Sequence, residues 1–186
     1  AIMFEHALSV SGLWSDPVFL RAAWTSIWVG LVAAVVTVGA ALVLIFAIRS
    51  SRSDAPKLLA PVATIGYAAP GAVLAVGILI PMAFFDRNLA DLVEALTGAD
   101  IGLLLTGTAT AVIFALSVRF FALAFGSVDS AMGRFSPNIG DAARSLGLRP
   151  TQVLGRVHIP MIWTSLLIAV LMVFVDSIKE LPATLL

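Results

Sequence analysis

The stretch TSIWVGLVAAVVTVGAALVLIFAI, from Thr25 to Ile48, contains no ionisable side chain and lies between Arg21 and Arg49. At a rise of about 1.5 Å per residue, a helix of this length crosses the hydrocarbon core of a bilayer, which is about 30 Å thick. The stretch therefore predicts a first membrane-spanning helix. It also decides the fold class, because a chain that spans lipid in this way must satisfy its backbone hydrogen bonds within helices.

The composition of the whole chain agrees with a membrane protein. Hydrophobic residues make up 60% of the 186 residues, charged residues only 12%, and the mean hydropathy is +1.06, more than a soluble domain of this size can bury in one core. Lys plus Arg and Asp plus Glu each number 11, so the net charge gives no sign of a nucleic-acid partner, and we expect none. The sequence has no cysteine, which excludes disulfides and cysteine nucleophiles within it.

Three further apolar stretches predict an all-α, polytopic membrane protein. The second span is expected at about 58–85, where three prolines predict a kinked or partly broken helix that lines a pathway. The third is expected at about 101–125, with Arg119 as a snorkelling anchor near its inner end. The fourth is expected at about 160–178, after a separate short helix that starts at Pro150.

The basic residues are concentrated in two of the predicted loops: Arg49, Arg52, Lys57, Arg119, Arg134, Arg144, Arg149 and Arg156. Only Arg21, Arg87 and Lys179 fall on the other side, together with most acidic residues. Because positively charged loops stay cytoplasmic, the N-terminus is predicted outside. Residues 1–24 are then an outer lead-in segment, and the loop at about 129–160 is cytoplasmic.

That cytoplasmic loop has the signals of a short folded helix. Ser136 suits an N-cap and Pro137 the first helical position, while Gly147 suits a C′ residue with positive φ. Between them, apolar residues recur at helical spacing and predict one face that a neighbour could approach closely: Ile139, Ala142, Ala143 and Leu146. Periodicity alone leaves two alternatives, a contact with a partner or an amphipathic turn on the inner leaflet.

The run Asp141-Ala142-Ala143, then Gly147 and, after nine residues, Val157-x-Ile159-Pro160 resembles the EAA motif of permease subunits of binding-protein-dependent ABC importers. The family pattern is Glu-Ala-Ala, Gly and Ile-x-Leu-Pro; the spacing matches, with Asp for Glu, Val for Ile and Ile for Leu. In that family the motif forms the coupling helix that docks in a groove of the ATPase subunit. The resemblance implies a type I ABC transporter transmembrane domain over 25–186, with coupling to the ATPase through these residues: Asp141, Ala142, Ala143, Gly147, Val157, Ile159 and Pro160.

A second segment, from Asp176 to Leu186, is similar to the stretch that follows the coupling segment in ferric-iron importer permeases, and less closely to thiamine, sulfate or polyamine relatives. Its charged residues stand at i, i+3 and i+4 and share a helix face near the outer end of the fourth span: Asp176, Lys179 and Glu180. Ionisable groups near a bilayer core usually face a cavity or a partner. With Pro182, they are candidates for the pathway or the seat of a receptor, the alternative being a salt bridge that caps the helix.

The two resemblances together imply a multi-pass permease subunit of the bacterial inner membrane that imports ferric iron. The implied partners are a cytoplasmic ABC ATPase dimer, a periplasmic or lipid-anchored substrate-binding protein and a second permease half, fused or dimeric. The sequence has no phosphate-binding loop, nucleophile–base pair or cluster with metal-ligand spacing, so we expect no enzymatic activity, no cofactor and no resident metal. We interpret the chain as a fragment, with at least one further span after Leu186.

The competing class is an ion-coupled secondary transporter. Such a protein would carry ionisable residues at mid-bilayer depth. None occurs within 25–48, 58–85 or 101–118, and this absence favours the ATP-driven class.

Overall fold

The computed structural model describes residues 17–51, 58, 61, 65–98, 102, 105–136 and 138–180. These residues form helices joined by turns and include no strand. The principal helices are α1 (Pro17–Ser50), α2 (Gly71–Thr97), α3 (Ala109–Gly133), α4 (Asn138–Ser145) and α5 (Pro150–Lys179). All except the short α4 are long and apolar enough to cross a membrane, so the predicted all-α class with four spans agrees with the described part of the chain.

Helices α1, α3 and α5 form the core of the bundle. Small side chains let them approach closely, as is common where helices pack in lipid; Ala34 of α1, Ala124 of α3 and Ala169 of α5 are all fully buried. Gly30 of α1 lies against Phe174 of α5, where an added Cβ would be 3.6 Å from the ring. Residues 17–24, expected in the lead-in segment, belong to α1.

The second spanning helix that the structure describes is Gly71–Thr97, which starts and ends later than the expected 58–85; residues 59–60 and 62–64 of that range lie outside the described part. Pro70 sets the start: its ψ of 136° is extended, and a proline also disfavours helical backbone at the residue before it. Pro81 is accommodated within α2. This helix lies at the edge of the bundle and buries only Ala75 and Asp86.

The third span also lies further along the chain than predicted, over Ala109–Gly133 instead of about 101–125. The uncharged run from Phe120 to Val128 lets the helix continue past its predicted end. Arg119 therefore lies near the middle of α3, not at its inner end. The prediction of a snorkelling anchor was wrong, since only 20% of the Arg119 side chain is exposed.

The predicted short helix at Pro150 is not separate from the fourth span. Helix α5 runs from Pro150 to Lys179 through a π-helical segment, Leu154–His158, in which the N–H of Ile159 donates to the carbonyl of Leu154. Pro160 gives the physical reason, because it has no N–H and its ring crowds the carbonyl four residues earlier. The wider π turn accommodates this proline without ending the helix.

A 3₁₀ turn, Ile65–Ala68, precedes α2 and touches α3 through Gly66. A Cβ at this position would lie 2.6 Å from the carbonyl oxygen of Val118, a helix backbone atom that cannot easily move. We expect Gly66→Ala to lower the free energy of unfolding by about 1–3 kcal/mol, seen as a lower Tm in mild detergent. Gly77→Ala is the matched control, because nothing lies within 4 Å of its added Cβ; equal Tm values for the two variants would contradict the close contact.

Candidate functional site

The elbow, residues 136–149, joins α3 to α5 and holds α4. The hydroxyl oxygen of Ser136 accepts from the N–H of Asn138 at 3.3 Å, which satisfies one free donor at the start of the helix. At its end, Gly147 has a φ of 87°, and the N–H of Leu148 donates to the carbonyl of Ala143 at 3.2 Å. This is a Schellman motif. The helix end predicted from Gly147 is therefore present, and α4 is capped at both ends. Pro137 lies outside the described residues.

The two alanines of the motif face different surroundings. Ala143 is only 8% exposed, whereas Ala142 is exposed and Leu146 is 85% exposed. Beside Ala143, the buried Gly140 lies against α5, since its added Cβ would be 4.0 Å from Cγ1 of Val153. The single apolar face predicted for α4 is thus divided, with Ala143 packed inward and Ala142 and Leu146 facing outward.

The remaining motif residues are divided between the elbow and α5. Asp141 is exposed and its Oδ1 lies 3.5 Å from Nη2 of Arg144, an exposed pair that contributes about 0–1 kcal/mol. Val157 and Ile159 are half-buried in the first part of α5, and Pro160 is exposed there. The exposed motif residues are therefore Asp141, Ala142 and Gly147 in the elbow and Pro160 in α5.

An ion pair ties α1 to α3 beside the elbow. Nη2 of Arg49 lies 2.9 Å from Oδ1 of Asp129, and the same guanidinium donates to the carbonyls of Asp129 at 3.3 Å and Met132 at 3.2 Å. Sequence reasoning used Arg49 only as a sign of orientation. The position of Arg49 directly after an uncharged span indicated the end of that span, but it did not indicate that Arg49 pairs with Asp129.

A second ionic contact lies further along α3. Nε of Arg119 is 3.0 Å from Oε1 of Glu180, and Nη1 donates to the carbonyl of Ala69 at 2.7 Å. The Nε–H does not point at the carboxylate closely enough to count as a hydrogen bond, so the contact is an ion pair. Both side chains are largely buried, at 20% and 14% exposed. Arg119 thus joins α3 to the end of α5 and to the turn before α2.

Of the three charged residues expected on one face of the fourth span, Asp176 and Lys179 lie within α5 and Glu180 does not. Glu180 follows the last helical residue, and its carboxylate lies against Arg119. Asp176 is half-buried beside Leu123, and Lys179 is exposed. Glu180 therefore leaves the expected common face because α5 ends at Lys179, whereas Asp176 and Lys179 keep their helical spacing of three residues; Pro182 lies outside the described residues.

Asp86 is a buried ionisable residue that sequence reasoning did not single out. It is fully buried, and its Oδ2 accepts from the N–H groups of Leu105 at 2.9 Å and Thr106 at 2.8 Å. Asp86 and Arg119 each lie one residue beyond a stretch that was noted as uncharged. The predicted stretches are uncharged, but α2 contains Asp86 and α3 contains Arg119. Buried ionisable residues in spanning helices weaken the argument against an ion-coupled transporter.

Among the residues that the structure describes, no three His, Cys, Asp or Glu side chains come together in a group that could hold a metal ion. Comparison of the chain with protein-family models finds no match, and comparison with curated proteins finds none.

Proposed function

We propose that this chain is the transmembrane permease subunit of an ATP-driven ABC importer, and that α4 couples its spans to a separate ATPase. The observation that carries the proposal is that α4 packs against the bundle with one side and exposes the other. One side, with Gly140 and Ala143, rests on α5, and the other presents Ala142 and Leu146. A short helix of this kind can bind a partner on one side and pass displacement to the bundle on the other.

The path of that displacement follows from the contacts. Val153, which lies against Gly140, is 1% exposed and belongs to α5, which continues without a break into a membrane-spanning helix. Closely packed interiors transmit strain, since they have few voids to absorb it. A force on α4 would therefore tilt α5, which packs directly against α1 and α3. Such switching requires the ATPase to bind one state of the permease better than the other.

Ferric iron is the proposed cargo, on the resemblance of the segment from Asp176 to Leu186 to ferric-iron permeases; the alternatives within the family are thiamine, sulfate and polyamine. The iron ligands would belong to the substrate-binding protein. The proposed setting is the bacterial inner membrane, with an ATPase dimer, the binding protein and a second permease half as partners.

An ion-coupled secondary transporter is the second candidate, and the buried charges favour it. Asp86 and the pair of Arg119 with Glu180 are shielded from solvent within a bundle of spanning helices. Ionisable groups in such positions often mark ion pathways. The two candidates differ in whether α4 has a nucleotide-hydrolysing partner.

A cysteine-directed crosslinker can identify that partner, because the sequence has no cysteine of its own. In native membranes, a photoactivatable crosslinker on Leu146→Cys is expected to capture an ATPase subunit. Lys179→Cys, exposed at the opposite end of α5, is the matched control and should capture none. Absence of an ATPase from the Leu146 product, or the same product from both positions, would count against coupling through α4.

A further inference from the structure

A cavity of about 150 Å³ lies beneath α4, where the ends of α1 and α3 meet the start of α5. Three basic side chains line it, Arg49, Arg144 and His158. Several large apolar side chains also line it: Phe46, Met132, Phe135 and Val153. The cavity therefore combines hydrogen-bond donors with an apolar wall, and of its two guanidinium groups that of Arg49 is already paired with Asp129.

Two of the basic groups face the same small space. Nε2 of His158 and Nη2 of Arg144 lie 3.6 Å and 3.9 Å from the point that a Cβ of Gly140 would occupy. The missing side chain of Gly140 leaves this space open. Within the described part of the chain, Arg144 has one ionic partner, the exposed Asp141 at 3.5 Å, and an exposed pair of this kind is readily exchanged for another anion.

The apolar wall distinguishes between possible anions. The Phe46 ring lies 6.3 Å from the His158 ring in an edge-on arrangement, and Met132 is 4% exposed. A free phosphate ion gains nothing from such neighbours, whereas the glycerol and upper acyl carbons of a phospholipid do. Basic pockets between spanning helices on the cytoplasmic side are also suited to anionic lipid headgroups.

We propose that this cavity binds the headgroup of an anionic phospholipid from the cytoplasmic leaflet. Arg144 and His158 contact the phosphate, Arg49 stays paired with Asp129 at the cavity wall, and Phe46 and Met132 contact the apolar part. The bound lipid joins α4 to α1 and α3, and so stiffens the elbow. The proposal does not depend on an ATPase partner; it requires only that the basic end of the bundle faces the cytoplasm, as the distribution of Lys and Arg predicts.

The test compares short-chain phosphatidylglycerol with phosphatidylcholine of the same chain length, titrated into the full-length protein in neutral detergent and followed by native mass spectrometry. Phosphatidylglycerol should bind preferentially, and Arg144→Gln should weaken its binding about fivefold. Arg156→Gln is the matched control, because Arg156 is exposed in the same region but does not line the cavity. The affinity of Arg156→Gln for phosphatidylglycerol should equal that of the wild type.

Gly140→Ala tests the cavity without removing a charge. Its added Cβ would make ordinary contacts, so the variant should fold, yet it partly fills the headgroup site and should weaken phosphatidylglycerol binding. Inorganic phosphate at the same concentration should not displace the lipid. Displacement by phosphate, equal affinities for the two lipids, or equal weakening by Arg144→Gln and Arg156→Gln would each overturn the proposal.

Discussion

Glu180→Gln is expected to lower the free energy of unfolding by about 3 kcal/mol, because it leaves a largely buried guanidinium without its carboxylate. This expected loss of stability is at the low end of the range for buried pairs, since the Arg119 and Glu180 side chains keep 20% and 14% exposure. The loss should also loosen the turn before α2, whose Ala69 carbonyl accepts from Arg119. Thermal unfolding of the purified protein in mild detergent measures the effect as a drop in Tm.

Lys179→Gln is the matched control for Glu180→Gln, because it also removes one charge, at an exposed neighbouring position. Its Tm should change little. The double variant Arg119→Met with Glu180→Leu should recover most of the stability, since removing both members of a buried pair is often neutral or favourable. Similar Tm values for Glu180→Gln and Lys179→Gln would show that the ion pair is not a structural contact.

Features that depend on local rules were predictable from the sequence. The uncharged stretch from Thr25 to Ile48 lies within α1, because length and apolarity alone decide whether a helix can span a bilayer. Ser136 and Gly147 marked the limits of α4 because capping depends on a few adjacent backbone groups. The assignment of α4 to an ATPase contact depended on a resemblance, and it stays a proposal.

Features that depend on distant parts of the chain were not predictable. Arg119 and Glu180 are far apart in the sequence, and the residues around each of them do not predict that the two side chains pair. Helical periodicity placed Ala142 and Ala143 on one broad face, but only the position of α5 decides that Ala143 turns inward. The burial of Asp86 was also not predictable from nearby residues, because the N–H groups that donate to its carboxylate belong to the turn before α3.

Leu146→Glu is expected to weaken binding of the ATPase subunit by at least about thirtyfold, or about 2 kcal/mol. Leu146 is 85% exposed, so in the proposed complex its side chain is buried by the partner, and a carboxylate there would lose its hydration without gaining a counter-ion. The spans should be unaffected, because Leu146 contributes little to the packing of the isolated chain. Transport should fall in proportion to the loss of bound ATPase.

Thr151→Glu is the matched control for Leu146→Glu. Thr151 is exposed at the start of α5, close to the elbow, and an acidic residue is favourable in the first turn of a helix. It adds the same charge to the same end of the bundle without altering the exposed apolar surface of α4. Its affinity for the ATPase should match that of the wild type, which separates a specific contact from general charge repulsion.

The most direct test of coupling through α4 is the dissociation constant between the full-length permease in lipid nanodiscs and the ATPase subunit captured from Leu146. We predict saturable binding to the wild type and to Thr151→Glu, and binding at least about thirtyfold weaker to Leu146→Glu. Equal affinities for all three proteins, or no ATPase that binds the wild type, would contradict the account.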